Sequence, residues 1–162
     1  MMFLFGKQTS EAEPEKPTGI FGKTGNGTLD FYLSKTADWR DNDIEDLNIS
    51  VWTSDFDSIY QSALRSKGIE PADTSGRYDG EKYIANLTSF ISEFPQNQMM
   101  VSFRNMYEDY VLGPTALTNL LGECEKLQKI ELSSEADLAL RKLTYGCQAA
   151  LDANSYLLFL CD

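Results

Sequence analysis

The sequence predicts an α+β fold in which a small mixed or antiparallel sheet is covered by about four helices. Two N-terminal segments alternate apolar and polar residues, later segments repeat apolar residues at helical spacing, and the chain closes on a continuous apolar run. A length of 162 residues suits one ordinary domain. We therefore expect a single α+β domain over residues 28–162, preceded by a flexible tail at 1–27.

The first two elements of the domain are predicted strands. Residues 28–34 (TLDFYLS) alternate apolar and polar side chains, which is typical of a half-buried strand. After an acidic loop, residues 47–53 (LNISVWT) repeat this pattern and place Trp52 on the face opposite the aliphatic side chains. We expect the two strands to pair antiparallel across the loop.

Two helices are predicted next. The first begins at Ser54, whose spacing from Asp57 is similar to that of a capping box, and Gly68 ends it. The second covers residues 81–94, where apolar side chains recur at helical spacing, and Pro95 ends it.

The C-terminal part contains a segment of mixed character and three clearer elements. Residues 99–103 alternate like a strand and 106–111 repeat like a helical turn. A third helix begins at Pro114, since proline suits the first turn of a helix, and a fourth begins at Ser134. The closing run at 155–161 (SYLLFLC) predicts a central strand that is buried on both faces.

The stretch GIFGKTGNG at 19–27 partly matches a phosphate-binding loop. Gly22, Lys23 and Thr24 fit the end of that motif, but Pro17 stands where its first glycine belongs. The stretch also leads into a predicted strand, whereas a phosphate-binding loop opens a helix. We interpret it as a glycine-rich turn at the end of the tail.

The charge of the chain narrows its class of partner. The net charge is −11, from 25 acidic and 14 basic residues. Such a charge disfavours binding to nucleic acid or to an anionic membrane and attracts basic partners. No apolar run approaches the length of a membrane helix, and the N-terminal MMFLF is too short for a signal-peptide core. We expect a cytoplasmic protein; its oligomeric state stays open.

The residue inventory excludes several kinds of catalysis. The chain has no histidine, which rules out histidine-dependent triads and histidine-containing zinc sites. The cysteines, Cys124, Cys147 and Cys161, are three in number and lie among apolar neighbours, which predicts reduced, buried thiols. We find no cofactor motif, no metal-ligand set and no catalytic set, and we expect a protein without enzymatic activity.

The acidic segment after the first strand partly matches a calcium loop. Asp41, Asp43 and Glu45 have the spacing of calcium ligands. However, Asp46 stands where the loop needs glycine, and Trp52 stands where it needs a bidentate glutamate. A solvated acidic loop is the better interpretation.

A carboxylate-dependent hydrolase, with or without a divalent metal, is an alternative hypothesis. Paired carboxylates divide acid and base roles when their surroundings separate their pKa values. Candidate residues are Glu108 and Asp109 beside Arg104, and Asp79 beside Arg77. The spacing of Arg104 and Glu108 also suits an ordinary surface ion pair one helical turn apart.

Protein recognition is the leading hypothesis. Two tryptophans stand among carboxylates, and such aromatic side chains are favoured anchors in protein interfaces. The predicted partner-binding residues are Trp39, Asp41, Asp43, Glu45, Asp46, Trp52, Asp55 and Asp57. We expect a non-catalytic bacterial protein that binds a basic partner, specifically an immunity protein that neutralises a basic toxin enzyme. The alternatives are the hydrolase and a structural or adaptor subunit of a larger complex. The tryptophans would have a purely structural role if Trp52 packed under a helix and Trp39 covered the edge of the core.

Overall fold

The computed structural model describes residues 19–23, 27–41, 43–74, 79–96 and 108–161, with only the backbone of Asp41 and Thr53. Within these residues the elements are β1 (Thr28–Ser34), a short 3-10 helix (Trp39–Asp41), β2 (Ile44–Trp52), α1 (Thr53–Ser66), α2 (Gly80–Glu93), β3 (Tyr110–Leu112), α3 (Pro114–Leu127), α4 (Ser134–Asp152) and β4 (Tyr156–Cys161). The predicted α+β fold is confirmed, and the sheet is antiparallel.

The sheet has the strand order β2-β1-β4-β3. β1 and β4 are therefore its central strands, which agrees with the apolar composition of the closing run. Six of the seven residues of β1 are buried, including Asp30 and Ser34 on the face that the alternation assigned to solvent. β2 and β3 form the two edges.

A bulge divides edge strand β2. Asp30 pairs with Ser50, whereas Tyr32 pairs with Asp46, so β2 contains two more residues than β1 between these pairs. Asn48 lies in the bulge with a φ of 55°, a left-handed conformation that asparagine adopts more readily than most residues. The bulge separates a 44–47 half, next to the β1–β2 loop, from a 48–52 half, next to α1.

The helices pack as a layer on one face of the sheet. α4 contacts the sheet directly, and α1 and α3 pack against α4 while α2 packs against α1. Gly146 permits this close contact, because a Cβ atom at that position would lie 2.8 Å from the Phe31 ring. The main core lies between α4 and the inner side chains of β1, β2 and β4.

The structure corrects several local predictions. Tyr110 and Val111 form an edge strand, because they pair with β4, and do not belong to a helical turn. Residues 97–107, which contain the other predicted strand, lie outside the described residues. α1 begins at Thr53 with Trp52 at its N-cap, so Ser54 lies inside the helix and the predicted capping box does not form.

Part of the predicted tail packs against the domain. Ile20 is buried, and the Phe21 ring contacts the Tyr145 ring edge-on at a centroid distance of 5.1 Å. The Gly22 N–H donates to the Asn48 carbonyl at 2.7 Å and so reaches the outer edge of β2. The remainder of the predicted tail, residues 1–18 and 24–26, lies outside the described residues.

Candidate functional site

The structure separates the two predicted aromatic anchors. Trp39 lies in the 3-10 helix of the β1–β2 loop, whereas Trp52 is the last residue of β2. A strand of nine residues spans on the order of 25 Å, so the two rings belong to opposite ends of the sheet. The predicted partner-binding residues therefore do not form one continuous patch.

The Trp52 end contains a partly buried pair of opposite charges. Trp52 is 38% exposed, and Asp55 lies in the first turn of the helix that Trp52 caps. Desolvation raises the pKa of Asp55, an effect that attraction to Lys142 opposes. Lys142 is buried, and its Nζ donates to the Ser50 carbonyl at 2.7 Å. Burial lowers the pKa of Lys142, while Asp55 acts in the other direction. Asp55 thus interacts mainly within the fold.

Asp57 is buried and contributes to internal packing. Its carboxylate accepts hydrogen bonds from Gln61 at 2.6 Å, from Thr74 at 2.6 Å and from Asn86 at 2.9 Å. Asn86 also bonds both backbone polar groups of Ala72. These contacts fasten the α1–α2 loop to both helices. Asp57 is only 2% exposed, so the fold buries this predicted partner-binding residue.

Lys23, the lysine of the partial phosphate-loop motif, lies among acidic and phenolic groups. Its Nζ is 2.8 Å from Asp46 Oδ2 and 3.2 Å from Asp30 Oδ2, and it donates to the Tyr32 hydroxyl at 2.6 Å. Desolvation lowers the pKa of Lys23, but these hydrogen bonds outweigh it and hold the pKa above its ordinary value. The segment then enters β1 at Thr28, and no helix follows as in a phosphate-binding loop.

Asp46 and Asp30 are the acidic partners of Lys23. Desolvation disfavours ionisation of Asp46, but its hydrogen bonds with Lys23 and with the Asn48 N–H outweigh this and lower its pKa. Asp30 is 8% exposed and also accepts hydrogen bonds from the hydroxyls of Thr28 and Ser50. Sequence reasoning missed Asp30, because only the pairing of β1 with β2 brings it next to Ser50. Because its carboxylate accepts the Asn48 N–H and pairs with Lys23, Asp46 stabilises the bulge.

Asp43 and Glu45 differ from the acids at the other end, because both are exposed. Among the residues that the structure describes, neither carboxylate lies within ion-pair distance of a lysine or arginine. Both line a groove of about 230 Å³, together with Leu33, Ser34, Lys35, Ile44 and Ser155. Glu45 is opposite Leu33 in the sheet, so it lies on the helix-covered side, whereas Asp46 is opposite Tyr32.

The two cations near these carboxylates already interact within the chain. Lys35 Nζ donates to the Ala153 carbonyl at 3.2 Å and to Ser155 Oγ at 3.1 Å. The Arg40 guanidinium lies 4.9 Å from the centroid of the half-buried Trp39 ring. The C-terminal end of α4 lies near Lys35, since Ala153 follows that helix, and the helix dipole adds negative potential there.

We name the surface formed by Asp38, Trp39, Asp43 and Glu45 the acidic loop end. The side chain of Asp41 lies outside the described part of the structure.

The geometry of β2 does not suit a calcium loop. From Ile44 onward the chain is an extended strand, so Trp52, at the position of the last calcium ligand, lies at the far end of β2 from Glu45. Within the described ranges, no group of three or more histidine, cysteine, aspartate or glutamate residues is arranged to hold a metal ion.

The candidate hydrolase acids and the thiols have structural contacts. Asp79 caps α2 by accepting the Glu81 N–H at 3.0 Å, and Asp109 accepts the Cys161 N–H at 2.9 Å. Arg77 and Arg104 lie outside the described residues. All three cysteines are free. Cys124 and Cys147 are buried, and burial raises the pKa of Cys147 to about 12, whereas Cys161 is half-buried.

A larger groove, of about 340 Å³, lies between the C-terminal ends of α2 and α3. Its lining includes the apolar side chains of Phe94, Pro95, Leu127 and Ile130, with Glu93, Gln96, Glu123 and Lys126 around them. It lies away from the acidic loop end and contains none of the predicted partner-binding residues.

Comparison with known protein families, curated proteins and solved structures gives no match to this chain. None of the helices in the described part is long and apolar enough to cross a membrane.

Proposed function

We propose that this chain is a non-catalytic protein that binds a basic protein partner through the acidic loop end. The observation that carries the proposal is the state of its charges. Asp43 and Glu45 are exposed and outside ion-pair distance of the described cations. Lys35 and Arg40 keep their positive charges, but the exposed acids Asp38, Asp43 and Glu45 outnumber them. Negative potential thus remains available to a partner.

The physical role of such a surface is to accelerate encounter. Complementary charges raise association rates between proteins, and the effect weakens as salt increases. The net charge of −11 extends the attraction beyond the loop end itself. Trp39 supplies an aromatic group in the same loop, in the short 3-10 helix before Asp43, and aromatic side chains are frequent hot spots in interfaces. Capture through charge followed by packing against Trp39 is the proposed mode of binding.

The specific form of the proposal is an immunity protein that neutralises a basic toxin enzyme. An enzyme that acts on nucleic acid presents basic groups around its active site, because it must bind phosphates. An acidic protein that competes for those groups blocks the substrate without needing catalytic residues.

Affinity capture tests the proposal. The tagged chain is incubated with lysate of the source cell at low and at high salt, with its genomic neighbours co-expressed, and captured proteins are identified. We expect one basic protein that salt releases. Its association rate with wild type, with Asp43→Asn/Glu45→Gln and with the control Glu70→Gln is then measured. Capture that salt does not weaken, or an association rate that the double variant leaves unchanged, would contradict the proposal.

A structural or adaptor subunit is the second candidate, and the apolar groove between α2 and α3 favours it. A stable complex that buries this groove, and that forms equally well at high salt, would support the subunit.

The hydrolase alternative predicts that magnesium or calcium raises the melting temperature, since a ligand that binds the folded state stabilises it.

A further inference from the structure

We infer that β2 accepts an extended basic segment of the partner as an additional strand along Ile44–Leu47. The inference rests on the proposed function and identifies the form of the partner: a strand with lysine or arginine at alternate positions. Such strand addition uses backbone hydrogen bonds for affinity and side-chain pockets for specificity.

The two halves of β2 differ in how their outer edge is covered. In the 48–52 half, Gly22 donates to the Asn48 carbonyl, and Lys142 donates to the Ser50 carbonyl. In the 44–47 half, no residue of the described ranges pairs with the outer edge. Unpaired backbone groups on an edge strand are a template for another strand. The 44–47 half therefore has both the conformation and the backbone groups for pairing.

The adjoining side chains select a basic strand. Glu45 is exposed on the helix-covered side of this half, opposite Leu33 of β1, and Asp43 is exposed just before the strand begins. In a strand added at the outer edge, the side chain opposite Glu45 projects to the same face of the sheet as Glu45. A lysine or arginine at that position lies next to the Glu45 carboxylate, and opposite charges on neighbouring strands stabilise pairing.

The same charges disfavour a second copy of this chain as the added strand. Antiparallel pairing of two 44–47 edges would bring Glu45 and Asp46 of each copy close to the same residues of the other. Like charges on adjacent strands destabilise pairing, and charged side chains commonly protect edges against self-association. The other edge, β3, is only three residues long. The acidic edge therefore discriminates between partners by charge.

Two synthetic peptides test the inference. One alternates lysine and valine, and the other alternates lysine and proline at the same length and charge. The second peptide retains the charge but lacks half of the backbone donors and cannot continue a strand. Each is added to the full chain at low salt, and binding and amide hydrogen exchange are measured. Glu45→Lys is compared with Glu70→Lys, an equal charge change at an exposed loop residue.

We expect the lysine–valine peptide to bind and to slow amide exchange within 44–47 by ~10-fold, as newly formed backbone hydrogen bonds do. Glu45→Lys should abolish this protection, and Glu70→Lys should retain it. If both peptides bind equally and neither protects these amides, strand addition is overturned while binding of a basic partner still stands. If neither peptide binds wild type at low salt, the proposed function is contradicted as well.

Discussion

The two halves of β2 belong to one strand but differ in how the fold covers them. In the 48–52 half, Gly22 and Lys142 donate hydrogen bonds to backbone carbonyls of the strand. Nearby Asp30, in β1, is buried, and its carboxylate interacts with Thr28, Ser50 and Lys23. In the 44–47 half and the loop before it, Glu45 and Asp43 are exposed. Asp46 lies between these situations, since its side chain is 47% exposed yet bonded to Lys23.

The comparison shows that position in the sheet decides what an acidic residue does. Glu45 and Asp46 are adjacent in sequence, but strand alternation sends them to opposite faces. One meets the Lys23 cluster and stabilises the bulge, whereas the other lines an open groove. Substitutions of the two kinds of acid should therefore affect different properties: stability for Asp30 and Asp46, and binding for Asp43 and Glu45.

The largest expected effect is from Asp30→Ala. The substitution removes a buried carboxylate and leaves the Ser50 hydroxyl and part of the Lys23 charge without their acceptor. We expect the free energy of unfolding to fall by ~3 kcal/mol, in the range for breaking a buried charged contact. Urea denaturation measures the loss, with Glu45→Ala as the control, which should cost under about 0.5 kcal/mol. Equal losses in the two variants would contradict the distinction between a structural acid at Asp30 and an exposed acid at Glu45.

Lys23→Met should have the next largest effect. The methionine retains most of the apolar stem but leaves Asp30 and Asp46 without their shared cation. Since the Lys23 side chain is 32% exposed, solvent screens the contact, and we expect a loss of about 1–2 kcal/mol. Lys129→Met, at an exposed lysine, is the matched control. A loss no greater than that of the control would show that the cluster does not stabilise the fold.

Substitution of Asn48 tests the bulge that separates the halves. Because φ is 55° at this residue, alanine should cost ~1 kcal/mol, whereas glycine should be nearly neutral. Denaturation midpoints of Asn48→Ala and Asn48→Gly provide the comparison. A greater loss for glycine than for alanine would contradict the left-handed conformation.

The smallest expected effect on stability concerns the response to acid. The folded-state pKa of Asp46 lies below its ordinary value of 3.8. Its contribution is therefore present above the unfolded pKa and is lost as the pH falls through the folded pKa. Unfolding of Asp46→Asn, followed from pH 6 down to about pH 2, should depend less on pH than that of wild type. A steeper dependence in the variant would reverse the assigned direction of the shift.

Periodicity predicted much of the fold. The alternation in 28–34 predicted β1 with its observed bounds, and the helical spacing of 81–94 predicted α2 to within one residue at each end. The continuous apolar run at the C terminus predicted the central strand β4. These patterns are local, and each element buries the face that its own sequence marks as apolar.

The roles of individual acids could not be predicted from sequence, because they depend on distant partners. Asp57 and Asp43 are both aspartates in an acidic region, but Asp57 meets Thr74 and Asn86, which are 17 and 29 residues further along the chain. Similarly, the role of Asp46 depends on the bulge at Asn48 and on a lysine that the sequence placed in a tail. Charge counts identified the acidic region but did not distinguish structural from exposed carboxylates.

The most direct test of the account is capture of basic lysate proteins at low salt by the charge-reversal variant Asp43→Lys/Glu45→Lys. Its control is Glu70→Lys/Glu81→Lys, which carries the same change in net charge at exposed residues of the α1–α2 loop and α2. The account predicts that reversal at the acidic loop end lowers capture by ~10-fold or more relative to the control, with little change in the urea midpoint. Equal capture by the two variants, with both folded, would contradict the claim that this end of the sheet binds the partner.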